Sequence, residues 1–436
     1  MTARFLFTTF EFGGHVAPML AVAARLQARG HRVLVMSDAA TGPDAERLGL
    51  PCRPWRRAPN RPDRAIAHEP LRDWECDTPA AVVQLLLDRL MTGAADAYAQ
   101  DTAEALAEHP GASVVSQELL LGCMLAAEAA RRPLALLTAN LWPLPTLEGV
   151  PPFGPGLAPP ADAQARAFQA LIREASRSLY DAGLPQLNAA RAARGLPPLA
   201  RTLDQVEAAR LVLLATARAW DFPADAALPA AFAYAGPQVR APAWAAGRPS
   251  PWVAAGDMRP LVLASFSTLY QAQEPVIART LDALAQLPVR GLVTLGPQLD
   301  PAAFSAAGNV EVVESADHDA LMPQVAAMVT HAGHGSAVRP ILHGVPLVCL
   351  PMGRDQPDNA ARIVARGAGL RLDPAASAAA IAEAVTQVLA QPRFRAAARA
   401  WGERMRAETA REGDVAVARL EALAAGAGVP GGAETG

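Results

Sequence analysis

Apolar and polar positions alternate in two rhythms along this chain. Residues 5–9 are a short β-prone apolar run, the Gly13-Gly14 turn follows, and Met19, Val22, Ala23 and Leu26 then recur at helical spacing until Gly30. Residues 32–36 are a second apolar run. The pattern predicts strand, loop, helix and strand over 4–36, the unit that builds parallel sheets, with the glycine loop at the sheet's C-terminal edge. Helical patterns at 80–108 and 119–131, with apolar runs at 113–116, 134–138 and 211–215, extend this α/β alternation. Residues 151–160, rich in Pro and Gly, read as a long surface loop.

Between 236 and 260 periodicity fades while Gly236, Pro237, Pro242, Gly247, Pro249, Pro251, Gly256 and Pro260 accumulate, the composition of an interdomain linker. A second α/β unit then begins. Strands are predicted at 261–267, 291–295, 327–330, 345–350 and 369–372, and helices at 274–287, 376–390 and 394–411, with a frayed tail from Gly426.

Composition narrows the function. The 436 residues are enough for two or three domains. A net charge of −3 with no dense basic run disfavours a nucleic-acid partner. All 39 basic residues are Arg, which excludes a lysine Schiff base, a P-loop lysine and a lysine general base. Cys52, Cys76, Cys123 and Cys349 are widely separated, so neither a disulfide framework nor a zinc site is indicated. The first twelve residues are too short in apolar length for a secretory signal, and no run approaches the roughly 18 apolar residues of a membrane span. A cytoplasmic location is expected.

Three segments carry candidate chemistry. Gly13-Gly14-His15 lies between the first strand and its helix. A turn with a capping residue accounts for it, but a histidine at a helix N-terminus is also held neutral and able to accept a proton. Thr330-His331-Ala332-Gly333-His334-Gly335-Ser336 follows a strand and opens a helix, where small residues and unpaired amides suit a diphosphate. Met352 to Asn359 gathers Asp355, Gln356 and Asn359 at a helix start, either as caps or as partners of a polyhydroxylated ligand. Asp317-His318-Asp319 invites a metal, yet it precedes an apolar helical run and one carboxylate as N-cap is the simpler account. Gly333-x-Gly335 with Asp355 22 residues beyond Gly333 approaches the dinucleotide fingerprint, although Val338 fills the third glycine position. An NAD-dependent oxidoreductase is therefore the alternative enzyme class.

His-Ala-Gly-His-Gly-Ser at 331–336, His-Gly-Val-Pro-Leu-Val at 343–348, Gly-Arg-Asp-Gln-Pro-Asp-Asn-Ala at 353–360 and Gly-Gly-His-Val-Ala-Pro at 13–18 resemble, in order and spacing, the GT-B nucleotide-sugar-dependent glycosyltransferases related to macrolide and flavonoid glycosyltransferases. The resemblance implies two facing Rossmann-like domains with parallel sheets and an interdomain cleft. Residues 1–235 would bind the acceptor and 261–425 the UDP- or dTDP-hexose, with 236–260 as linker, the last helix packing back on the first domain, and 426–436 as tail. His15 would be the general base of an inverting, metal-independent transfer to a small aromatic or polyketide-like acceptor. Ser267, Ser315, Ala316, His331, Gly333, Gly335, Ser336, Asp355, Gln356 and Asn359 would hold the donor, which is a co-substrate and no resident cofactor. Phe10, Phe12, Trp74 and Trp142, with Trp55 and Phe153, are candidates for an apolar acceptor cleft.

The chain departs from the family pattern at three places. Where the family has an Asp that orients the base, Ser116 is followed by Gln117 and Glu118, and either could hold His15. Ser315 stands where an aromatic stacks on the nucleotide base. Arg339 replaces a Glu that binds ribose hydroxyls, and a guanidinium donates but cannot accept. The missing Asp and the missing stacking aromatic motivate a further alternative, a catalytically idle helper homologue, against which the intact His15, Ser336, Asp355 and Gln356 argue.

Overall fold

A computed structural model describes residues 2–222, 228–238 and 257–426. It contains two sheets. The first joins β1 (Arg4–Thr8), β2 (Arg32–Ser37), β3 (Cys52–Pro54), β4 (Ser113–Ser116), β5 (Leu134–Thr138), β6 (Leu211–Leu214) and β7 (Phe232–Tyr234) in the order 3-2-1-4-5-6-7. The second joins β8 (Leu261–Ser265), β9 (Arg290–Thr294), β10 (Val310–Val313), β11 (Val325–Thr330), β12 (Leu347–Cys349) and β13 (Gly369–Arg371) in the order 10-9-8-11-12-13. Every strand pair is parallel.

Helices cover both faces of each sheet, which is why the central strands read as unbroken apolar runs. Leu6, Val114 and Leu136 join the core on one face of the first sheet, while Phe5, Phe7, Val115 and Leu137 join the core on the other. Leu263, Met328 and Leu347 divide in the same way from Val262, Ala264, Val329 and Val348 in the second. Strand order reverses between β1 and β4, and again between β8 and β11. Ligands bind beyond the carboxyl ends of strands at such switch points. The Gly13-Gly14 turn follows β1, and the His331–Ser336 segment follows β11.

The two units exchange elements. Helix Val415–Ala424, C-terminal to the second sheet, buries Val417, Leu420 and Leu423 in the core that holds Met19 and Val22 of the first. Arg25 is tied to Asp414 at 2.7 Å, while Arg29 at 2.7 Å and His31 at 2.8 Å both meet Glu421. In return Trp220, just past β6, stacks on Trp401 at 4.4 Å, and the Trp401 indole donates to the Ala219 carbonyl at 2.7 Å.

The helical pattern over 80–108 is divided between two helices, Pro79–Leu86 and Ala95–Glu108, with a π turn at Leu87–Met91. Gly93 explains the break: a Cβ there would come 2.1 Å from the Asp88 carbonyl oxygen, closer than a helix with side chains permits. Helix Ala163–Tyr180, which the sequence reading did not single out, carries Phe168, Leu171, Ile172 and Leu179 at helical spacing, buries only Gln169 and Tyr180, and turns Ile172 and Leu179 to the cavity described below. Most of the predicted linker, 239–256, and the tail 427–436 lie outside the described residues.

Candidate active site

The turn after β1 is one 3-10 turn, Gly13–His15, leading into helix Val16–Ala28. Gly13 takes φ +51, and a Cβ on it would lie 3.1 Å from Leu269 of the C-terminal unit. His15 Nδ1 lies 2.9 Å from the Phe12 carbonyl, which can only accept, so Nδ1 carries the proton and Nε2 is the basic face. Nε2 is 3.7 Å from Oε1 of Glu118, whose side chain is 1% exposed. Burial alone would lower the ring's pKa, but the Glu118 carboxylate outweighs it and the value rises above the ordinary 6.5. This corrects the expectation of a ring kept neutral by the helix N-terminus. Gln117 does not touch the ring. Its amide donates to the His15 carbonyl at 2.9 Å and accepts from the Phe10 N–H at 3.2 Å, so it braces the backbone of the loop.

In the turn after β11, Ala332 adopts φ +68 and Gly333 precedes helix His334–Leu342. Gly333 has a steric reason: a Cβ would sit 2.5 Å from His331 Nε2. His331 is 6% exposed, and burial, then the charge of Arg354, push its pKa down to about 3, leaving a neutral imidazole donor beside the helix's first amides. His334 is also buried, with Nε2 3.0 Å from Thr216 Oγ1 of the N-terminal unit.

Asp355 is the hub of the third segment. Its Oδ2 accepts from the His334 N–H at 3.0 Å, from Asn359 Nδ2 at 2.9 Å and, across the cleft, from Asn140 Nδ2 at 2.9 Å. Oδ1 takes part in none of these bonds. A single cavity of about 1300 Å³ is lined by both glycine turns and by Asp355. On one side stand His15, Glu118, Phe12 and Trp74; on the other Ser267, His331, Gly335 and Ser336.

Residues 278–423 match the model of the erythromycin biosynthesis protein CIII-like C-terminal domain. The chain is 28% identical over 405 residues to 4'-demethylrebeccamycin synthase of Lentzea aerocolonigenes, covering 91% of this chain and 94% of that protein. It is 27% identical over 443 residues to demethyllactenocin mycarosyltransferase of Streptomyces fradiae, covering 95% and 85%. The structure of the calicheamicin glycosyltransferase CalG4 superposes with a TM-score of 0.72 at 21% identity, over 97% of this chain and 98% of that one. Over nearly its whole length the chain is similar to natural-product glycosyltransferases. Its two parallel sheets have the GT-B arrangement.

The predicted residues sort into two groups. His15, Glu118, Ser267, His331, Gly333, Gly335, Ser336, Asp355, Gln356, Phe12, Trp74 and Phe153 line the cavity. Gln117, Ser315, Ala316, Asn359, Phe10 and Trp142 are not on its wall. Asn359 is fully buried, bonded to Asp355, the Ala332 carbonyl and the Trp220 indole, and it therefore positions Asp355. Gln356 reaches the wall with its amide already engaged, accepting from the Met352 N–H at 2.7 Å and donating to Gln271 at 2.8 Å. Ala316 packs in the core with Leu321 and Met322, and Ser315 is buried. Phe10 stacks under Phe12 at 5.9 Å, while Trp142 packs edge-on to Phe232 at 5.1 Å. Trp55 is also core, its indole donating to the Thr9 carbonyl. Asp317 accepts from the N–H groups of Asp319 and Ala320, the capping role expected of it. Arg339 lines the cavity and pairs with Asp319 at 2.9 Å.

Asn140, Asp73, Arg64 and Tyr180 also line the cavity and were not singled out from the sequence. Asn140 could have been found: it lies two residues beyond β5, at the carboxyl edge of the sheet.

Proposed function

We propose that this protein transfers a sugar from a UDP- or dTDP-hexose to a small, largely apolar natural-product acceptor with inversion at the anomeric carbon. The observation that carries the reading is the shared cavity, with His15 on one wall and the His331–Ser336 turn on the other. The names of the relatives, a rebeccamycin-pathway synthase and a mycarosyltransferase, support the acceptor class. So does the apolar lining from Val83, Leu86, Leu144, Ile172 and Leu179, in a space large enough for a polycyclic or macrocyclic acceptor.

In this reading an acceptor hydroxyl gives its proton to His15 Nε2 as its oxygen bonds to the anomeric carbon, and the bond to the nucleoside diphosphate breaks on the opposite face. The Glu118 carboxylate stabilises the imidazolium that forms. The charge that gathers on the diphosphate meets the amides at the start of helix His334–Leu342, the Ser336 and Ser267 hydroxyls and the neutral His331 ring. Asp355 orients the sugar hydroxyls. We assign 1–235 to acceptor binding and 261–425 to the donor, with catalysis independent of a metal ion and a cytoplasmic setting.

A thermal-shift series with UDP, dTDP and NAD tests the donor, because a ligand stabilises in proportion to RT ln(1 + [L]/Kd). UDP or dTDP should raise the melting temperature and NAD should not; a shift with NAD alone would favour the oxidoreductase. Sugar transfer to any member of an acceptor panel would remove the idle-helper alternative.

A further inference from the structure

Residues 55–78 connect β3 to helix Pro79–Leu86 and include only two 3-10 turns, Ile66–His68 and Asp73–Glu75. Connections this long are uncommon unless they do something. This one spans the mouth of the cleft. Trp74 packs edge-on to Tyr270 of the C-terminal unit at 5.0 Å, and the Arg64 carbonyl accepts from Gln298 at 2.7 Å. Its firmest attachment is Asp73, whose two carboxylate oxygens accept from Nε and Nη2 of Arg354 at 2.6 and 2.8 Å, a paired fork with 16% and 12% side-chain exposure.

Arg354 touches more than Asp73. Its guanidinium lies over the Phe12 ring, 4.8 Å from the centroid, and Phe12 supplies the carbonyl that fixes the His15 tautomer. Its backbone, at φ +57, is the link before Asp355. A non-glycine residue holds a left-handed conformation when its surroundings over-determine it, and here the surroundings are the two anchors across the cleft.

We propose that Arg354 is a positioning residue that registers the two halves of the site against each other, fixing Asp355 relative to the His15 loop through Asp73 and Phe12. With the direct Asn140–Asp355 bond, this side chain sets the distance between the bound sugar and the base. The proposal deepens the glycosyltransferase reading and rests on it. Misplacement of reacting groups by about 1 Å can cost on the order of 100-fold in rate.

The test is a double-mutant cycle with Arg354→Ala, Asp73→Ala and the pair, read in kcat, in the affinity for UDP and dTDP, and in small-angle scattering. Each single change should lower kcat by roughly 30- to 100-fold, and the pair by no more than the worse single. Nucleotide affinity should stay within about twofold. Arg354→Lys, which keeps the charge but not the fork, should fall between wild type and Arg354→Ala. Both alanine variants should show a larger radius of gyration than wild type. Independent, multiplying losses, or nucleotide affinity that falls in step with kcat, would overturn the proposal. If the unsubstituted enzyme transfers no sugar from any donor, the proposed function fails, and scattering still decides the clamp: an unchanged radius in both variants refutes it.

Discussion

His15 and Glu118 face each other across 3.7 Å, with the carboxylate buried and on the Nε2 side of the ring. A carboxylate there raises the affinity of Nε2 for a proton and stabilises the imidazolium. It also makes the base charged at a higher pH than an isolated histidine would be. The ring must be neutral to accept a proton, so activity should climb with pH through a value above 6.5. Glu118→Gln removes the charge while burial remains, and the acidic limb of the rate profile should shift to lower pH with a reduced plateau. An unchanged profile would detach Glu118 from the base.

The same pair links pH to folding. Because the folded pKa of His15 lies above the unfolded one, the ion pair stabilises fully below pH 6.5 and its contribution is lost as pH rises through the folded value. The stability difference between wild type and Glu118→Gln, followed by urea unfolding, should therefore shrink as pH rises above 6.5. A constant difference would contradict the coupling.

Gly333→Ala should act on nucleotide binding more than on folding. The new methyl would meet His331 Nε2 at 2.5 Å and force the ring from its place. Calorimetry should find UDP or dTDP affinity reduced at least about tenfold, on the scale of losing a hydrogen bond to a charged group, with a small change in melting temperature. Wild-type affinity would mean that neither the ring nor the turn holds the diphosphate.

The stacked pair of Trp220 and Trp401 is fully buried where the chain crosses between units. Trp401→Ala leaves a cavity beneath Trp220 and removes the donor to the Ala219 carbonyl. The expected loss is about 4 kcal/mol, measured by equilibrium unfolding. A loss under about 1 kcal/mol would fit a surface position and not this core.

How much of this was legible in the sequence depended on the range of the interaction. The strand, turn and helix around His331–Ser336 could be read because an apolar run, small residues and a helix start are adjacent in the chain. Strand β3, three residues with partial exposure, left no such pattern. Motif resemblance located Gln356 and Asn359 but not the direction of their side chains, and both are engaged in bonds to the protein. Asp73 and Arg354 lie 281 residues apart in stretches without periodicity, so only the folded chain brings them together. The role of Glu118 was open beside Gln117 for a related reason. Neighbours in an irregular segment point in different directions, and the backbone after β4 decides which one meets the ring.

The central claim is that His15 removes the proton from the acceptor while the opposite wall holds the donor nucleotide. The most direct measurement compares wild type with His15→Ala in steady-state transfer and in calorimetric titration with UDP and dTDP. The account predicts that turnover falls by about 100-fold or more while nucleotide affinity stays within about twofold of wild type. Wild-type turnover in His15→Ala would contradict it.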